Sequence, residues 1–235
     1  MKLSYIGIVA IVLVMIAVVF AGCTSQTTTS SASAGSTPTA SSGSSSSASS
    51  SPAASSSQQV GSTVSSTSVF GTSYSWVEYQ TTTTGQGNEI SMDIKSERST
   101  STYNGQPAIE MKATMTSSQG TSTVSDIYYD SAMSSVLGGT MTMTVNGQTT
   151  TMNIPASQLN QASATNFNKA RSLTFEGIEP VSVPAGTYPA ASKYSSTDNG
   201  STMTFWSAPG VPVPVQMTVA TSSGGSVKSE LVGWG

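Results

Sequence analysis

The sequence contains no histidine, a single cysteine, and only 8% charged residues. Without histidine the usual general base is missing, and with it serine–histidine nucleophiles and most zinc and iron sites. A lone cysteine forbids a disulfide within the chain, so stability has to come from packing. No lysine follows a serine by three positions, which removes the Ser-x-x-Lys nucleophile as well. The seven basic and eleven acidic residues between positions 69 and 235 form no basic stripe, which argues against nucleic acid as a partner. Two carboxylate pairs remain, Asp93 with Glu97 and Asp126 with Asp130. Residues four apart on a strand start ~13 Å apart, beyond the reach of glycosidase pairs, and are read as solvated charges. These absences predict a protein that is not an enzyme and uses no cofactor.

What is present begins with an apolar run. Lys2 precedes Ile8 to Phe20, which has no polar residue, and the run stops at Ala21-Gly22-Cys23. A basic start, an apolar middle and small residues at the end form a signal-peptide pattern. The small residues before the only cysteine resemble the lipobox of prokaryotic lipoprotein signal peptides. That resemblance implies cleavage before Cys23 and a diacyl or diether lipid on its thiol. The alternative, an uncleaved membrane helix, stays open because Leu3 to Gly22 supplies 20 residues, about what a bilayer span needs. Either reading predicts membrane attachment at the front and display of the remainder on the external face of the cell membrane.

Thr24 to Ser68 is built almost wholly from Ser, Thr, Ala, Gly, Pro and Gln, with no charged or aromatic side chain. Such a segment buries too little apolar surface to offset the entropy of ordering it. It reads as a disordered stalk, and both bare and glycosylated forms are open. The predicted division is therefore 1–22 signal or anchor, 23–68 lipidated cysteine and stalk, and 69–235 folded domain.

Within that domain apolar and polar residues alternate between Gly, Asn and Asp turns, the pattern of antiparallel strands with one buried face. Ile90, Met92 and Ile94 alternate with Ser91, Asp93 and Lys95, and Ile109, Met111, Ala113 and Met115 with Glu110, Lys112 and Thr114. Asn146-Gly147 is a type I′ turn pair, so it places Val145 opposite Gln148, Met143 opposite Thr150 and Met141 opposite Met152. A short helix or lid is expected after Pro155, and the prolines between 209 and 214 read as a connection. Nine of the eleven methionines lie after position 69. Met141-Thr142-Met143 has the soft donors of a copper site, but its alternation favours core or pocket lining. Asp198-Asn199-Gly200 reads as a turn, with Asn199 a candidate glycan acceptor in Asn-Gly-Ser.

Val183-Pro184-Ala185-Gly186-Thr187-Tyr188, Thr204-Phe205-Trp206-Ser207-Ala208-Pro209-Gly210-Val211 and Glu230-Leu231-Val232 are similar to prokaryotic exported domains of unknown function. In those domains a VPAGT turn, an aromatic-x-x-PGV corner and an ELV strand follow in that order. The chain departs from the pattern at Pro212-Val213-Pro214 and at Pro189-Ala190. These domains resemble the half-barrels of Lol-type lipoprotein carriers, which implies an all-β to α+β fold, a curved antiparallel sheet around a helix or an apolar cavity. A shared shape does not carry a function with it. The expected role is a non-enzymatic binding module for an apolar or lipid-like ligand, with Trp76, Ile109, Met111, Met115, Met203 and Phe205 as candidate lining. The alternative is a structural protein of the envelope that contacts a surface layer, wall polymer or partner protein.

Overall fold

The computed structural model describes residues 58–71, 74–85, 88–159, 172–198, 200–220 and 224–235. Cys23, the apolar leader and most of the stalk lie outside these residues, as does Asn199. A three-residue strand β1 (Thr63–Ser65) and a helical turn α1 (Ser66–Val69) come first. A meander follows: β2 (Trp76–Gly85), β3 (Asn88–Tyr103), β4 (Gln106–Ser117), β5 (Ser122–Asp130), β6 (Val136–Val145) and β7 (Gln148–Pro155). Residues 156–159 turn helical, where the sequence places a helix start, and the rest of the expected lid, 160–171, lies outside the described residues. A second meander completes the chain: β8 (Ser172–Val183), β9 (Gly186–Asp198), β10 (Ser201–Ser207), β11 (Gln216–Ala220) and β12 (Ser226–Trp234).

All strands join one antiparallel, unclosed sheet in the order β1-β8-β9-β10-β11-β12-β2-β3-β4-β5-β6-β7. The last strand in sequence therefore welds the two meanders together, pairing β11 on one side and β2 on the other. The hairpin turns follow from local chemistry. Asn104-Gly105 and Asn146-Gly147 all adopt positive φ, the requirement of type I′ turns that match the twist of the flanking strands. The second of these sets Val145 against Gln148, Met143 against Thr150 and Met141 against Met152.

The sheet curls most tightly in its β8–β12 half. β8 and β12 are four strands apart, yet the Ala185 N–H, in the turn leaving β8, donates to the Leu231 carbonyl of β12 at 2.9 Å. The space thus enclosed is filled by Val77, Tyr79, Leu173, Phe175, Tyr194, Phe205, Val215, Met217 and Leu231. The loop between β10 and β11 contributes Ala208, Val213 and Val215 to this core, so the prolines of this segment carry a connection whose apolar side chains are buried. The Tyr79 hydroxyl, fully enclosed, donates to the Pro214 carbonyl at 2.8 Å. Burial, and to a smaller degree Tyr74, holds its phenol well above the ordinary value.

The segments 183–188, 205–211 and 230–232 meet in this half. The VPAGT turn bonds to Leu231, and the Leu231 N–H in turn donates to the Val215 carbonyl just beyond the aromatic corner. Leu231 is completely buried. These three segments thus pack the roll.

Candidate functional site

The cross-strand register fixes which side chains share the inner face. Tyr79 pairs with Ile94 and Ile94 with Met115. Thr123 faces Met115 and Met143 faces Thr123. By the same alternation every methionine in a strand stands on the inner face. They are Met92 on β3, Met111 and Met115 on β4, Met141 and Met143 on β6, Met152 on β7, Met203 on β10 and Met217 on β11. Among the described residues only Met133, in the loop after β5, lies outside this set. The β3–β4 part of the face forms its own cluster of Met92, Ile94, Ala113 and Met115, with Ile90 packed against it.

Small residues run across the middle of this face. Val77 pairs with Ser96, Ser96 with Ala113, Ala113 with Ser125, and Ser125 with Met141. Ser96, Ala113 and Ser125 are buried. The rows on either side carry long side chains, Ile94 and Met115 on one and Met111 and Ile127 on the other. The result is a packed strip in which a row of small residues lies between rows of flexible thioethers and branched aliphatics, with Ile94, Met111, Met115 and Met141 themselves buried. In the row of Met92, between β2 and β12, Thr81 and Ser229 are buried and satisfy each other through a hydroxyl pair at 2.9 Å.

At one end, beyond the start of β2, a cleft of about 410 Å³ opens between Tyr74, Ser75, Arg98, Ser99, Thr100, Ile109 and Gly235. It exists because β3 runs past its partner β2 and leaves the inner face of β3 and β4 uncovered there. Arg98 lies one inner-face pair along from Ser96 and Ala113, opposite Met111, and Ile109 lies opposite Thr100. The cleft thus joins a cationic and hydroxyl-rich mouth to an apolar strip.

Of the residues expected to line an apolar site, Ile109, Met111 and Met115 share the inner face of β4. Met203 and Phe205 are on the same face of β10, within the packed roll rather than beside the β4 trio. Trp76 departs from the set. It pairs with Glu97, on the outer face, and its ring covers Gly233 and Gly235, approached by the Lys95 ammonium at 5.7 Å from the ring centroid. The physical reason is that Trp76 stands on the face of β2 opposite Val77 and Tyr79, and the core takes those two. Arg98 was missed in the sequence because it reads as one more polar residue at the end of an alternating run; its position next to a strand end is tertiary.

The carboxylates serve structural ends. Glu97 accepts from Lys95 at 2.9 Å. Asp130 accepts from the Ser134 N–H and from the Ser134 and Ser135 hydroxyls in the loop before β6. Those hydroxyl hydrogen bonds hold its carboxyl below the ordinary value. Glu179 accepts from the Trp206 indole at 2.6 Å and pairs with Lys193 at 3.3 Å. The indole bond first, and Lys193 with it, keeps this carboxyl low. Among the described residues no three Asp, Glu or Cys side chains gather as a metal site.

The sequence matches no family model and no curated protein. Among solved structures, a DUF1329 family protein from Desulfovibrio piger aligns over 68% of this chain and 84% of its own, at 8% identity and a TM-score of 0.33. A domain from Vibrio parahaemolyticus assigned to outer membrane lipoprotein sorting aligns over 68% of this chain and 83% of its own, at 10% identity and a TM-score of 0.30. Likeness at this level identifies no activity, and the site has to be read from its own geometry.

Proposed function

We propose that the protein is a membrane-attached, externally displayed binding module that holds a lipid-like ligand, with the ligand's polar end at Arg98 in the cleft and its apolar chain entering past Ile109 against the inner face of β3 and β4. The observation that carries this reading is the placement of all eight strand methionines on one face. Methionine is flexible and polarisable and adapts to apolar partners of varied shape. A cleft of about 410 Å³ falls within the ~300 to 1,000 Å³ usual for ligand sites. The guanidinium of Arg98 suits an anionic or polar headgroup through fork-like hydrogen bonds.

In this reading a lipid on Cys23 attaches the protein and the Ser/Thr-rich residues between Cys23 and β1 form the spacer; the last residues of the expected stalk belong to the fold, as β1 and α1. The intact protein is tested in its membrane with a long-chain fatty acid bearing a photoreactive group in the chain. Cross-linked peptides are expected from β3, β4 and β5, with Ile109 and Met111 prominent. Labelling spread evenly over the outer face would sink the assignment.

The envelope-contact reading has its own support. Hydroxyl pairs line the outer face at Thr142–Thr151, Thr144–Thr149 and Ser182–Thr187, each 3.0 to 3.1 Å. Such a surface presents both donors and acceptors to a polymer. Binding of the intact protein to isolated wall or surface-layer material, undiminished by Met111→Asp, is the result that favours it.

A further inference from the structure

The two edges of the sheet are built differently. At the β8 edge the covering strand β1 has only three residues. The rest of β8 is broken by register shifts between Phe175 and Gly177 and between Glu179 and Val181, and carries Pro180, Glu176 and Glu179. Short strands, bulges, proline and charge are the devices that stop an edge from recruiting another strand. β7 at the opposite edge has none of them along Gln148–Ile154: its register with β6 is unbroken, and its one proline is the last residue. Among the described residues β7 pairs only with β6, and Gln148 to Asn153 are exposed. Met152 there is 47% exposed, one of few large apolar side chains so placed.

We infer that β7 is an interaction edge and that its partner is β7 of a second copy of this chain, joined antiparallel about a two-fold axis. Charge and symmetry both favour a second copy. The chain is net negative, but residues 131–168 contain no charged side chain, so two copies meet here without like-charge repulsion. Pro155 lacks an N–H, which leaves Gln148–Ile154 as the run able to pair. The midpoint of that run is Thr151. With Thr151 on the axis, Thr150 faces Met152 of the other copy, Thr149 faces Asn153 and Gln148 faces Ile154. Each face then meets its own kind, as an isologous contact requires. The apolar inner face continues into the second sheet, and the threonine pairs already formed between Thr151 and Thr142 gain a further rung.

Opposed residues in such a pair have Cα atoms ~4.5 to 5.5 Å apart, within disulfide range. The intact protein in detergent micelles, carrying Thr151→Cys, is therefore expected to form a cross-linked dimer under mild oxidation, measured against the unsubstituted chain as the background for Cys23. Thr149→Cys tests the register and Thr63→Cys the other edge; neither is expected to link above background. Sedimentation of the otherwise unaltered protein should show a concentration-dependent dimer that Thr151→Lys weakens at least tenfold. A monomer at all concentrations, an unchanged dimer in Thr151→Lys, or linkage at position 149 or 63 equal to that at 151 overturns the inference.

Discussion

Leu231 shows how one side chain can carry several strands at once. It is fully buried, its carbonyl accepts from Ala185, and its N–H donates to Val215. Leu231→Ala is expected to cost about 2 to 5 kcal/mol through lost burial and the cavity left behind, measured by denaturant unfolding. Removing only the Tyr79 hydroxyl leaves the Pro214 carbonyl without its donor, and Tyr79→Phe should cost about 1 to 3 kcal/mol. Glu179 supplies a pH signature. Its carboxyl titrates below the ordinary value near 4.5 because the Trp206 indole and Lys193 favour the charged form. The stabilisation is present above the unfolded value and is lost as pH falls through the lower folded one. Thermal melts between about pH 5 and 3 should therefore show a decline in the unaltered protein, and Glu179→Gln should remove part of it.

Elements were legible in the sequence where alternation was one-sided. From Ile90 to Ile94 in β3 and from Ile109 to Met115 in β4 every second residue is apolar, so these strands, their inner faces and the intervening Asn104-Gly105 turn follow from the sequence alone. The β6–β7 register follows from Asn146-Gly147 in the same way. β2 was ambiguous because both of its faces carry aromatic residues, and Trp76 was placed inside although its ring lies outside over Gly233 and Gly235. β7 shows another limit. Met152 alternates like a core residue, yet it is exposed because β7 is an edge strand. The backbone adds a demand that alternation does not reveal: a Cβ on Gly139 would sit 2.6 Å from the Asp126 carbonyl oxygen, whereas one on Gly147 meets nothing within 4 Å. Gly147→Ala should cost about 1 kcal/mol, from the positive φ alone. Gly139→Ala should cost more, because the β5–β6 pair must move apart. Parallel unfolding curves of the two variants check the order.

At the scale of the molecule, the sheet depends on a strand that arrives last. β12 lies between β11 and β2, so deleting residues 226–235 cuts the sheet into two parts and exposes the roll beneath Leu231. Loss of cooperative unfolding by circular dichroism is the expected result; a cooperative transition in the truncated chain would mean that the halves are independent. The candidate site belongs to this scale too. Its methionines were visible in the sequence, and those in β3 and β4 could be assigned a common face there. Their alignment with Arg98 and the cleft depends on β3 outrunning β2. By itself the sequence determined the one-sided strands and the hairpins with Asn-Gly turns, since those rest on contacts between near neighbours. The order of the strands, the insertion of β12, the side taken by Trp76 and the openness of β7 were decided only by the tertiary structure. Each depends on which distant segment comes to lie alongside, and alternation along a single strand carries no information about that.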